Sequence, residues 1–363
     1  DFERKIEMTM PEGKIFALEG EATTVSSGAT PHPLTLRANL GDCIKVNLTN
    51  KMKASRASFF APGLAFDPKD SQGLNVGNNG GDQTIGPGEK RQYTYYAHPL
   101  NKETTSLVWD GGNIVVNPRN GLYGAIIVGP RGSQYRDPVT GGDISQKNSW
   151  RADVIVDTTL PENVGKRNYR DVALFFQDED NIIGTAFMPY VQNVAGLTSV
   201  NYRAEPYKFR EEQGCSLGKI FQPCVVGKPE DPATPVIEAH AGDALRIHVI
   251  GANSEQNGMF GIEGHEWPIE PYMPGADMIS VVEYAGSETL DVFVRGGAGG
   301  PYRQVGDFVW SNQRLPYTQS GQWGYLRVLP AGDTRIQPLG AVGAAVKRAD
   351  LAPQPKATPT AMK

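Results

Sequence analysis

The sequence predicts an all-β protein built from tandem Greek-key β-sandwich or barrel domains, and three observations carry that expectation. Short β-branched or aromatic runs bounded by Gly, Pro, Asn or Asp recur along the chain. Amphipathic helical spacing is nowhere sustained. One order of motifs is written twice.

Taken in order, the strand-like runs are "CIKVNLTN", "QYTYYAH", "YGAIIVG", "ADVIVDT", "VALFFQD", "LRIHVIG", "ISVVEYAG", "LDVFVRG" and "WGYLRVL". The doubling is specific. Gly41-Asp42 precedes "CIKVNL" and Gly242-Asp243 precedes "ALRIHV". Gly121, Gly124, Val128 and Pro130 recur as Gly321, Gly324, Val328 and Pro330. Between these marks, "GPGEKRQYTYYA" is echoed by "YAGSETLDVFV". An offset held at both ends of a segment implies two copies of one β-domain. The expected division is a first domain over 1–137, a β-rich connecting segment over 138–224 and a second domain over 225–330. Residues 331–363, rich in Ala, Pro and Lys, read as an extended tail.

Composition narrows the function classes. The 363 residues are 39% hydrophobic and 21% charged, with a net charge of −5, which gives no electrostatic reason to expect nucleic acid. Gly at 42 and Pro at 27 suit many tight turns. No run approaches the roughly 18 apolar residues that span a bilayer. The opening "DFERKIEMTM" is charged and polar and reads as no signal peptide, so a chain starting at Asp1 is expected to be processed or trimmed.

Of three cysteines, Cys215 and Cys224 bracket the polar loop "CSLGKIFQPC" and are expected to form a disulfide, which would favour an extracytoplasmic home (periplasmic, secreted or cell-surface). Cys43, inside the alternating "GDCIKVNL", reads as a small buried hydrophobe.

Several longer stretches resemble the multicopper oxidases, particularly the large bacterial type that includes manganese oxidases, built from cupredoxin domains. "DPATPVIEAHAGDALRIHVIGANSEQNGMFGIEGHEWP" is similar to the stretch by which the last cupredoxin domain enters its copper site, and "GDFVWSNQRLPYTQSGQWGYLRV" to the stretch by which it leaves. "SVNYRAEP" and "ALFFQDED" resemble the inter-domain segment of that family. The resemblance covers most of residues 30–330 and implies tandem cupredoxin-like domains.

The resemblance also implies where copper ligands would stand, and those places hold other residues. In the first domain the slots fall on Phe60 and Pro62, then on Trp109, Gly111 and Asn113. In the second they fall near Gly258, Gly261 and Glu263. At the exit, Ser311-Asn312-Gln313 stands for a His-Cys-His triplet, Tyr317 for a further His, and Gln322 for the closing Met. A blue-copper centre needs two imidazoles and a thiolate, and the resemblance implies about eight further histidines for a trinuclear cluster. The chain has five: His32, His98, His240, His248 and His265. His265, with Glu263 beside it, is the one candidate for an isolated metal ligand; the plainer reading is a hydrogen-bonded remnant. His240 and His248 are eight residues apart along extended chain, too far for one ion. His98 reads as a loop histidine.

Other features have ordinary readings beside sharper ones. "DPKDSQGLNVGNNGGD" has the composition of a calcium loop without its ligand spacing. Asp178-Glu179-Asp180 reads as a solvated turn. Asn47-Leu48-Thr49 is a formal glycosylation sequon within a strand. No nucleophile elbow or phosphate loop is present.

The reading that follows is a cupredoxin-like protein stripped of its copper ligands, with no cofactor, no catalysis of its own, and a structural or binding role among protein subunits, homo- or hetero-oligomeric. Trp109, Trp310, Tyr317 and Trp323 are the expected contact aromatics. An oxidoreductase completing a copper site with another chain, and a carbohydrate- or cell-surface-binding sandwich, are the alternatives.

Overall fold

A computed structural model describes residues 12–22, 31–179, 197–223, 231–254 and 256–340. The first repeat holds β1 (Leu34–Asn39), β2 (Cys43–Thr49), β3 (Ala65–Phe66), β4 (Lys90–Tyr96), β5 (Thr104–Val108) and β6 (Gly124–Gly129). The linking strands are β7 (Gln134–Arg136), β8 (Arg151–Ile155), β9 (Tyr169–Glu179) and β10 (Leu197–Val200). The second repeat holds β11 (Val236–His240), β12 (Leu245–Ser254), β13 (Gly258–Ile262), β14 (Trp267–Pro268), β15 (Met278–Ile279), β16 (Val281–Tyr284), β17 (Thr289–Phe293), β18 (Gly306–Asn312) and β19 (Trp323–Leu329). The described α-helices are short: α1 (Val116–Arg119), α2 (Tyr207–Glu212) and α3 (Leu315–Gln319). The all-β architecture expected from the sequence is the one observed.

Four β-layers stack in the order β2-β4-β3, then β1-β6-β5, then β17-β12-β9-β8-β7, then β11-β19-β18-β13-β16. Strand periodicity distributes the apolar residues between them. Ile126 and Val128 of β6 face the first core with Tyr93 and Tyr95, while Ala125 and Ile127 face the seam between repeats. From the other side, Ala173 and Phe175 of β9 enter that seam, whereas Val172, Leu174 and Phe176 enter the second core with Trp310, Leu326 and Val328. The middle strands β6 and β12 are therefore buried on both faces along most of their length. The linking strands close no barrel of their own. They widen the sheet of the second repeat, with β9 parallel to β12 and antiparallel to β8.

The repeat extends to individual hydrogen bonds. Gly41 and Gly242 have positive φ, at 92° and 87°, where a side chain would be strained. Each turn has its Asp accept from the residue three before: Asn39 N to Asp42 at 2.7 Å, His240 N to Asp243 at 2.9 Å. Gly41 N donates to Ala97 O at 2.7 Å and Gly242 N to Ala298 O at 2.8 Å. Glu89 and Glu288 cap their turns alike, accepting from Gly86 N and Ala285 N. In both copies the first strand runs parallel to the last: β1 beside β6, β11 beside β19.

Two sequence expectations are corrected here. Cys43 is a free, exposed thiol rather than a buried one. On β2 it is Ile44, Val46 and Leu48 that turn inward, and Cys43, Lys45 and Asn47 lie on the solvent face. Residues 331–340 form no helix or strand, yet Ile336 and Leu339 are buried, so this part of the tail is docked on the body.

Candidate functional site

The slots of the second repeat converge because β13, β18 and α3 meet at one end of the last sheet. β13 pairs with β18 so that Phe260 faces Asn312 and Gly261 faces Ser311. After β18 the chain turns through α3 and re-enters as β19, with Gln322 N bonded to Tyr317 O and Asn312 N to Gln322 O. Gly258, Asn312, Tyr317 and Gln322, far apart in sequence, thus surround one small volume.

That volume is filled with amide and phenol groups. Asn312 Nδ2 donates to Gln322 Oε1 at 2.8 Å and to Tyr284 Oη at 3.2 Å. Its Oδ1 accepts from Met259 N at 3.1 Å and Arg314 N at 3.2 Å. Gln322 Nε2 donates to Gln177 O at 2.9 Å. Both amides are buried, and buried amides must be paired in this way. Burial pushes the Tyr284 hydroxyl well above its ordinary pKa, so it remains a neutral phenol. A Cβ placed on Gly258 would fall onto the Tyr284 ring and hydroxyl. One placed on Gly261 would lie 2.8 Å from Gln313 Nε2, closer than real contacts allow. A histidine fits neither position without displacing its neighbour.

Tyr317 is buried, with its hydroxyl 3.3 Å from Asp178 Oδ2 and Arg314 stacked 5.0 Å from its ring centre. Asp178 is itself only 2% exposed, which corrects the expectation of a solvated turn there; Asp180 lies outside the described residues.

The slots of the first repeat form a separate group. Phe60 and Trp109 exchange backbone bonds at 2.9 Å in each direction. Behind them the buried Asp110 accepts from Ser58 N at 2.7 Å, Asn113 N at 2.8 Å and Asn117 Nδ2 at 2.7 Å. Burial raises its carboxyl pKa, an effect those donors oppose. A Cβ on Gly111 would overlap Gly73 O and Leu74. Pro62 is exposed.

His265 is buried, and both ring nitrogens are engaged. Gly299 N donates to Nε2 at 3.0 Å, so Nδ1 carries the proton and donates to Glu263 O at 2.7 Å. Burial lowers its pKa. The ring has no lone pair left for an ion. Glu263 is exposed, with Oε2 held by Val309 N at 3.2 Å. Among the described residues no group of three His, Cys, Asp or Glu is arranged to hold a metal. Copper therefore does not fit the residues present. The buried amides of Asn312 and Gln322 are already paired, and at Gly111, Gly258 and Gly261 a side chain would meet a neighbouring atom. In the calcium-like loop the carboxylates serve turns and arginines: Asp67 caps Lys69 N, Asp70 pairs with Arg91, and Asp82 with Arg56. Cys215 is disulfide-bonded and buried; Cys224 lies outside the described residues.

The contact aromatics expected from the sequence are placed elsewhere. Trp310, Tyr317 and Trp323 are buried, and Trp109 is half-buried. Trp310 packs edge-on against Phe176 inside the second core. Trp323 is roofed by the protein's own linking segment: Phe221 and Tyr207 meet it edge-on at 4.8 and 6.5 Å, and Arg210 stacks at 4.9 Å. The large apolar residues exposed in the slot loops are instead Ile114, Val115 and Val116 in the first repeat, and Met259 and Leu315 in the second. Nothing in the sequence pattern separates these from core aliphatics.

No protein-family model matches the chain, and no curated protein matches it in sequence. Solved structures do match in shape. The multicopper oxidase mgLAC superposes with a TM-score of 0.54 at 16% identity, over 84% of this chain and 78% of that one. A blue copper oxidase from Nitrosomonas europaea gives 0.52 at 15% identity, over 83% and 77%. A laccase from Botrytis aclada gives 0.50 at 16%, over 83% of this chain and 48% of the laccase. At these identities the likeness shows the fold: tandem cupredoxin-like domains arranged as in multicopper oxidases.

Proposed function

We propose that this protein is a multicopper-oxidase-like cupredoxin pair that has lost its copper sites and serves as a structural or binding subunit of a larger assembly, in an extracytoplasmic compartment. The observation that carries the reading is the Asn312–Gln322–Tyr284 cluster. Asn312 and Gln322, which stand where the resemblance implies ligands, lie together and satisfy one another and Tyr284.

The contact surface, on this reading, is the rim of the old sites, where Ile114, Val115, Val116, Met259 and Leu315 are exposed. Copurification from the native source followed by size measurement tests it. A defined stoichiometric protein partner, lost with Val115→Asp or Leu315→Asp, supports the subunit role. A monomer with no partner overturns it.

A copper oxidase completed by a second chain would need free donors at these slots, and the buried amides of Asn312 and Gln322 are engaged with each other and with their neighbours. The aromatics Trp310, Tyr317 and Trp323 are buried and offer no platform on which a sugar could stack.

A further inference from the structure

The seam between the repeats contains a fully buried histidine placed between two carboxylates. His248 Nε2 lies 2.6 Å from Asp171 Oδ1, and Nδ1 lies 2.6 Å from Asp291 Oδ1. Ionised carboxylates only accept, so both ring nitrogens must carry protons and the ring must be an imidazolium. Thr105 Oγ1, 2.6 Å from Nδ1, turns its hydrogen to Asp291 Oδ1 at 3.0 Å.

We propose that His248 is a proton-operated pin for this seam: as imidazolium it fixes Asp171 and Asp291 on the sheet of the second repeat where Arg37 and Thr105 of the first repeat bind them, and loss of its proton loosens that contact.

The strands involved explain why one ring can do this. His248 on β12 stands directly opposite Asp291 on β17, and Asp171 on β9 stands opposite Arg246 on β12. Two groups reach in from the first repeat, Thr105 on β5 and Arg37 on β1, whose Nε donates to Asp171 Oδ2 at 3.0 Å. Arg246 joins Asp291 at 2.5 Å and Glu103 at 2.8 Å, and Lys166 meets Glu103 at 2.8 Å where the network nears solvent. The hydroxyls of Tyr272 and Tyr169 complete the surroundings of Arg246, at 3.0 and 3.4 Å. Inside, the cations Arg37, Arg246 and His248 balance the carboxylates Asp171, Asp291 and Glu103. A neutral ring leaves one carboxylate without its N–H, a costly arrangement where water is excluded.

Burial opposes the charge on the ring, but the two carboxylates and their hydrogen bonds outweigh it, and the His248 pKa is raised. A raised value in the folded state means the pin is complete below the histidine's ordinary range, near 6.5. It is withdrawn as pH rises through the folded-state value.

The test is an NMR titration of the histidine rings in the intact protein, with amide hydrogen exchange followed in parallel. The ring of His248 is expected to keep imidazolium shifts at pH values where the urea-unfolded chain's histidines are neutral. Exchange at β5 and β12 is expected to rise beyond the intrinsic tenfold per pH unit as that ring titrates. Asp291→Asn should move the titration midpoint down. A neutral His248 ring at pH 7, or exchange in β5 and β12 that shows no step as the ring loses its proton, would overturn the proposal even if the variant fails to fold.

Discussion

Asn312 Nδ2 donates to Gln322 Oε1 at 2.8 Å, joining the residues that stand where the resemblance places a cysteine and a methionine. The bond is one part of a closed set in which Met259, Arg314, Tyr284 and Gln177 satisfy the remaining polar atoms. Asn312→Ala would orphan the buried Gln322 Oε1 and the part-buried Met259 amide. The expected cost is about 2–4 kcal/mol, from two unpaired groups at 1–3 kcal/mol each with partial relaxation. Urea unfolding reads it, and a loss below about 0.5 kcal/mol would show that the cluster is not holding the loops together.

Gly258 and Tyr284 should be coupled. A methyl group on Gly258 meets the Tyr284 hydroxyl end, so Gly258→Ala is expected to destabilise by about 1–3 kcal/mol as an overpacked core does. Tyr284→Ala removes the obstruction while leaving a cavity. The double variant should therefore be more stable than the sum of the single losses predicts, by about 1 kcal/mol or more. Strict additivity would mean that the space is not contested.

Acid should weaken the seam from the other side. Burial would raise the Asp171 carboxyl, yet His248 and Arg37 outweigh it and hold the pKa down at about 2. A depressed folded-state value contributes stability above the ordinary carboxylate pKa near 3.9, and that stability is lost as pH falls from about 4 toward 2. Asp171→Asn strands His248 and Arg37 and should cost about 3–5 kcal/mol at pH 7. Thermal melts from pH 7 to 2 should show wild type converging toward the variant; parallel curves would contradict the assignment.

Thiol labelling separates the cysteines. Cys43 is exposed on β2, so a maleimide should modify it in the native protein without reductant. Reduction under denaturing conditions should add Cys215 and, on the pairing expected from the sequence, Cys224. The bridge should be worth about 2–3 kcal/mol for so short a loop. Three adducts before reduction would exclude it.

Much of this structure was legible in the residues. The turns after β1 and β11 require a positive φ followed by a short acceptor, which is why Gly41-Asp42 and Gly242-Asp243 announce the repeat. Strand phase was legible too: Ile44, Val46 and Leu48 alternate with Cys43, so the exposed thiol could have been found from the alternation alone. The burial of Trp323 could not. It depends on residues 207–221 folding back over β19, a tertiary event with no local signal. The seam left a faint one. Arg37, Asp171, His248 and Asp291 are charged residues inside largely apolar strands, and only strand pairing within one sheet and the stacking of a second against it show that they meet.

Copper binding by the purified protein is the decisive measurement. The purified protein is incubated with copper, dialysed, and examined for bound metal and for absorption near 600 nm, alone and as Asn312→Cys. No stoichiometric copper and no blue band are expected from either form, because a restored thiolate still lacks the imidazoles that Gly258 and Tyr317 do not supply. One tightly held copper per chain with a blue band from the wild-type protein would contradict this expectation.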